Sequence, residues 1–242
     1  MSNEAENKDK KEDPREAERK EAYRKSMLCA HINAYIQRGL NAGIPERYLR
    51  IGPDQFKSLL LESYHGKDEI DSITDFIYKK PLDLVKIPLI VIDGGKMKDR
   101  KLAAFAIMFR IITCDKFGKF YDCRSLVHKL NAFDARGVLH GERRTDFADI
   151  IKEYNVLCIS EFTPNTFKEK LEGGDFIDEI LDERYNNLNT TIVTFQDPIS
   201  VNNALTDITC GTYLKEMSHN VKMAKNPSED VLRIRVRSSE NA

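Results

Sequence analysis

The residues of this chain with the types for chemistry sit where apolar runs end. Leu89-Ile90-Val91-Ile92 passes into Asp93-Gly94-Gly95-Lys96, two glycines and a lysine ahead of a second apolar stretch. A working phosphate loop needs G-x-x-x-x-G-K-[ST]: glycine amides against the phosphate oxygens, a Lys to neutralise them and a hydroxyl to ligate Mg²⁺. No spacing in the chain satisfies it. The plainer role for Gly94-Gly95 is to turn a strand into a helix. Val156-Leu157-Cys158-Ile159 ends in Ser160-Glu161, an acid at the end of a core strand. Arg136, His140, Arg143 and Arg144 lie in a glycine-containing stretch that has the charge to touch a phosphate backbone, single-stranded DNA included, or to remain a solvated loop. Arg233, Arg235 and Arg237 alternate with Ile234 and Val236, three cations on one strand face, the pattern of an edge strand protected against aggregation. Cys29 and His31 are too few and too close for a metal site without other ligands. No metal is expected. The five cysteines contain no C-x-x-C pair, which argues against a disulfide framework and a thiolate zinc site.

The elements that must position these residues follow from periodicity. Met27 to Leu40 carries apolar residues at helical spacing, with Gly39 and Gly43 as stop signals before Ile44-Pro45. Further helices are expected over Asp54–Tyr64 and Asp68–Tyr78, ending before Pro81. After Pro88, short apolar runs alternate with helical stretches. Strands are expected at 89–92, 119–123, 155–159, 191–195 and 231–236, and helices near 99–113, 124–131 and 144–152 and after Gly173-Gly174-Asp175. Strands alternating with crossover helices imply an α/β fold, a doubly wound and largely parallel sheet with a helical N-terminal extension. Ligands in such folds sit beyond the carboxyl ends of the strands.

Composition bounds the rest. Of 242 residues, the first 25 hold eight basic and eight acidic side chains and almost no apolar residue before Tyr23, a disordered or solvated helical tail. Residues 26–80 form a helical, candidate partner-binding segment, and 81–242 the α/β core. The longest uncharged apolar run, Leu102 to Phe109, is far too short for a bilayer, and the charged start lacks the apolar stretch of a secretory signal. The expectation is a cytoplasmic protein with no membrane contact. A net charge of −1 supplies no global field for nucleic acid, so any DNA contact must be local.

Taken in order, these pieces resemble a DnaC/DnaI-type bacterial replicative helicase loader, a branch of the AAA+ (P-loop NTPase-like) superfamily that also includes transposition helper ATPases. The resemblance runs from about Asn41 to Val236. Its pieces are Ala42-Gly43-Ile44-Pro45-Glu46-Arg47-Tyr48, Leu89 to Lys96 leading to Lys101-Leu102-Ala103-Ala104, and Val156 to Glu161. The last is Ile180-Leu181-Asp182-Glu183-Arg184-Tyr185 followed by Thr190-Thr191-Ile192-Val193-Thr194. It implies that Gly94, Gly95, Lys96, Asp99, Arg100 and Ser160 are the degenerate nucleotide-binding positions. Asp99 stands where the family has its Lys, Arg100 where it has its Thr, and Ser160 where it has the Mg²⁺-ordering Asp. Glu161 would be a relic of the water-polarising acid and Gln196 of the sensor Asn, and no Arg occurs between Tyr185 and Leu232 to serve in trans. Two unit charges about 4 Å apart at an effective dielectric of about 20 interact by roughly 4 kcal/mol. Replacing attraction by repulsion then swings binding by roughly 8 kcal/mol, about the worth of a micromolar site.

The expectation is therefore a DNA replication accessory protein, a pseudo-ATPase that binds a replicative DNA helicase or a partner loader, with no cofactor, as a monomer or an oligomer. By the same resemblance the contact lies in the helix ahead of the core, on Leu28, Ile32, Tyr35 and Ile36. Two other readings stay open: a divergent helicase-loader or transposition-helper ATPase that uses ATP and Mg²⁺ through Lys96 and Glu161, and a scaffold that decoys a normal loader.

Overall fold

A computed structural model describes residues 14–62, 67–78, 81–132, 138–139, 142–143, 149, 151–162, 175–195 and 233–237. The first helix, α1 (Pro14–Asn41), starts well ahead of the expected Met27. Its early turns contain no β-branched residue, and the pairs Glu16–Lys20 and Glu21–Lys25, four residues apart, support it at the surface. Every residue from Arg15 to Ala34 is exposed, and packing begins only at Tyr35 and Ile36.

A single turn of tight helix (Glu46–Tyr48) then leads to α2 (Pro53–Leu61), α3 (Lys67–Tyr78) and the short α4 (Pro81–Leu84). The alternating part follows: β1 (Leu89–Asp93), α5 (Met97–Ile112), β2 (Gly118–Asp122), α6 (Cys123–Asn131), a small hairpin of β3 (Val138–Leu139) and β4 (Glu142–Arg143), β5 (Val156–Ser160), α7 (Asp175–Asn186), β6 (Thr190–Thr194) and β7 (Arg233–Arg237). Five of these strands form one sheet in the order β2-β5-β6-β1-β7. The four from β2 to β1 are all parallel, as the alternation of strands and helices requires.

The sheet is thus largely parallel, as expected. Its fifth strand is antiparallel, with Ile90 opposite Val236 and Ile92 opposite Ile234, so its carboxyl end is not aligned with the others. It forms an edge, where pairing with one neighbour suffices in either direction. The stretch expected as a loop between the second and third core strands contains the β3–β4 hairpin, Val138 opposite Arg143.

Ile90, Ile92, Val156, Cys158 and Ile192 pack with α5 and the N-terminal helices in one core. Helix α5 is buried on nearly all sides, through Leu102, Ala103, Phe105, Ile107, Met108, Ile111 and Ile112, because it lies between the sheet and the N-terminal helices. Adjacent strand residues point to opposite faces, so Thr191 lies on the other side of the sheet from Ile192. There it meets Arg184 of α7, which places helices on both faces.

Arg184 is fully buried and is the main polar fastener of the amino edge. Its guanidinium donates to the carbonyls of Ile151 (2.8 Å), Lys152 (3.2 Å), Tyr154 (2.6 Å) and Thr190 (2.7 Å) and to Thr191 Oγ1 (3.1 Å). The end of α1 is tied to β2 and the segment that leads into it. Arg38 pairs with Asp115 at 2.7 Å, and the Ala42 carbonyl accepts from the Phe120 amide at 2.7 Å.

No helix among the described residues is long and apolar enough to cross a membrane.

Candidate functional site

The chain leaves β1 at one side of the sheet and crosses through α5 to β2 at the far edge, then returns through β5 and β6 to fill the gap. In such sheets ligands take the crevice beyond the carboxyl ends of the parallel strands, at the point where the strand order reverses. Gly94 and Gly95 follow β1, Asp122 ends β2, Ser160 and Glu161 close β5, and Thr194 closes β6. Gly94, Ser160 and Glu161 therefore gather at one end of the sheet.

What occupies this end is Arg100. It lies on the first turn of α5, and its side chain is 3% exposed. Nε donates to Glu161 Oε1 at 3.1 Å and Nη2 to Oε2 at 2.8 Å, a two-pronged, charge-assisted pair. Nη1 donates to the carbonyls of Gly94, at 3.0 Å, and Gly95, at 2.5 Å. In a trans peptide the carbonyl and the following N–H point opposite ways, so the amides of Gly95 and Lys96 face away from the guanidinium. Gly94 (φ 72°) and Gly95 (φ 59°) both need the left-handed backbone that glycine tolerates. Their freedom aims carbonyl oxygens, not amides, at the crevice.

Glu161 also has a left-handed backbone, φ 55°, uncommon for a residue with a side chain. It is held there by Thr194, whose Oγ1 accepts from the Glu161 amide at 2.8 Å and donates to Oε1 at 3.3 Å. The Thr194 carbonyl accepts from the Phe162 amide at 2.7 Å.

Ser160 is fully buried, and its hydroxyl donates to Asp122 Oδ2 at 3.5 Å. Asp122 caps α6 by accepting from the Arg124 amide (3.2 Å), and Lys101 Nζ stands 3.6 Å from its Oδ2. Asp99 is buried in the first turn of α5, its amide donating to the Lys96 carbonyl. Lys96 is exposed at the helix start.

Gln196, Arg136, His140 and Arg144 lie outside the described residues, and of Arg143 only its backbone in β4 is described. On α1, Leu28 (60% exposed) and Ile32 (47%) are open, as are Tyr23 and Met27. Tyr35 is half-buried with Arg38 over its ring, and Ile36 belongs to the core. Of the four residues expected to contact a partner, Leu28 and Ile32 are thus exposed and Ile36 is buried. Among the described residues no group of His, Cys, Asp and Glu is arranged to hold a metal ion.

Sequence reasoning placed Arg100 here only as a lost hydroxyl and did not include Asp122 or Thr194. Arg100 and Glu161 are 61 positions apart, and nothing local links them. Compared with known proteins, the chain matches no family model and no curated protein.

Proposed function

We propose that the chain is a binding and assembly protein: a degenerate, AAA+-like helicase loader or loader-like accessory that contacts a replicative DNA helicase or a partner loader, with little or no ATPase activity of its own. The observation that carries this reading is the Arg100–Glu161 pair. Where a nucleotide's phosphates would need inward amides and a cation free to meet them, the crevice offers two carbonyls, and its cation is bound to the acid that would otherwise polarise water.

Two further features support it. Four parallel strands with a glycine turn after β1 and an acid after β5 are compatible with a P-loop-like α/β core. The exposed residues Met27, Leu28 and Ile32 on α1 supply apolar surface ahead of that core, where the resemblance puts the partner contact.

Calorimetry with Mg-ATP and a phosphate-release assay test the nucleotide half. The wild type should show neither heat of binding nor turnover, and Glu161→Gln should change neither. Micromolar affinity abolished by Lys96→Ala would instead establish the ATPase reading. Co-purification with a replicative helicase tests the other half. Leu28→Glu with Ile32→Glu should abolish capture and leave the melting temperature unchanged, since both side chains are already in water.

A further inference from the structure

We infer that the Arg100 guanidinium is the resident occupant of the carboxyl-edge crevice, an internal ligand that fastens the β1–α5 turn to the end of β5 and makes the crevice a seat for a planar cation. This goes beyond the lack of nucleotide chemistry. It assigns the site a ligand class and finds that ligand within the chain.

Both carboxylate oxygens of Glu161 and the carbonyls of Gly94 and Gly95 converge on the group. Their arrangement matches a guanidinium fork, one edge to the carboxylate and the remaining nitrogen to the turn. A lysine ammonium, a point charge on a flexible stem, cannot span both sets at once. Removing the carboxylate or the guanidinium alone leaves the other charge with little solvent, the costly way to break such a pair.

The seat is built, not incidental. Glu161 is aimed by a left-handed backbone that persists only because Thr194 takes its amide and donates to its carboxylate. Both glycines of the turn adopt positive φ, which directs their carbonyls at the same group. The turn needs no bound nucleotide to hold its conformation, because the chain has supplied a counter-ion of its own. An incoming phosphate would meet carbonyl and carboxylate oxygens.

Chemical rescue tests this on the full-length protein. Arg100→Ala should lower the melting temperature by roughly 6–20 °C. Methylguanidinium chloride at a few millimolar should recover part of that loss saturably, while equal sodium chloride or urea should not. Arg100→Lys should remain destabilised. Arg100→Ala with Glu161→Gln should lose the rescue, since the carboxylate that seats the cation is gone. If Arg100→Ala does not fold, Glu161→Gln is read by amide hydrogen exchange, where the Asp99 and Arg100 amides, both bonded to the Lys96 carbonyl at the start of α5, should exchange at least about tenfold faster than in wild type. Wild-type melting of Arg100→Ala, a folded Arg100→Ala that ignores methylguanidinium, or unchanged exchange in Glu161→Gln would each overturn the inference. These readouts contain no ATP and no helicase, so ATP turnover or failed helicase capture would sink the proposed function and leave the inference standing, whereas loss of the Arg100–Glu161 pair would sink the inference and leave helicase capture to be judged by its own assay.

Discussion

At the scale of single residues, two buried arginines do different work at opposite ends of one sheet. Arg100 pairs with an acid at the carboxyl edge, whereas Arg184 meets backbone carbonyls and a hydroxyl at the amino edge. The buried guanidinium persists because it satisfies several buried oxygens at once, with Asn189 Nδ2 sharing the Lys152 carbonyl at 3.2 Å. Arg184→Met should therefore lower stability by roughly 3–5 kcal/mol, since it leaves several buried carbonyls without a charged donor. Arg184→Lys should recover only a minor part, because one ammonium cannot cover acceptors spread over two segments, 151–154 and 190–191. Urea denaturation of the three proteins measures both, and a midpoint for Arg184→Met within error of wild type would sink the assignment.

At the scale of elements, close backbone approach and desolvation set the sensitivities. Gly118 opens β2 against β5, and a Cβ there would lie 2.5 Å from Val156 Cγ1 and 3.2 Å from the Val156 carbonyl oxygen. The carbonyl belongs to a ladder that cannot move without disturbing its neighbours, so Gly118→Ala should cost about 1–3 kcal/mol by thermal or urea denaturation. Helix α3 carries the second sensitivity. Tyr78 donates to the Ile51 carbonyl at 3.1 Å and packs edge-on against Phe56. Burial pushes its phenol up to about 12, with Arg110 opposing the rise. The neutral form is favoured in the folded chain, so this contribution is complete below pH 10, the ordinary value, and is lost as pH climbs from 10 towards 12. Tyr78→Phe should be less stable at neutral pH through the lost hydrogen bond, yet fall less steeply across that alkaline window. Parallel pH-stability curves for the two proteins would refute the account.

At the scale of the whole molecule, α1 divides into a part in water and a part in the core. Arg15 to Ala34 is exposed, while Ile36 is buried, Gly39 lies against Leu49, and Arg38 is pinned by Asp115 and sits over the rings of Tyr35 and Phe117. Deleting residues 1–34 should leave the melting temperature within about 2–4 °C of wild type. Deleting residues 1–40 removes Ile36 and the Arg38 contacts and should cost several times more. If both truncations melt alike, the division is misplaced. The shorter deletion also removes Met27, Leu28 and Ile32, so on the proposed function it should yield a folded core that no longer captures a helicase.

The alternation of short apolar runs with helical stretches was legible because each element's pattern records the burial of its own faces. Leu89–Ile92 and Val156–Ile159 are uninterrupted apolar runs because the strands they form are covered on both sides. The glycine turn and the acid at the strand ends were legible for the same reason, since polarity resumes where burial stops. The partner of Arg100 was not, because 61 residues separate it from Glu161 and a charged side chain carries no pattern that names its counter-ion. Nor was the direction of β7: alternating Arg and Ile specifies an edge and a buried face, and either direction meets that demand. Local pattern determines which faces are buried. Only the packed sheet decides which distant groups meet at its ends, because crossovers bring them together after the elements have formed.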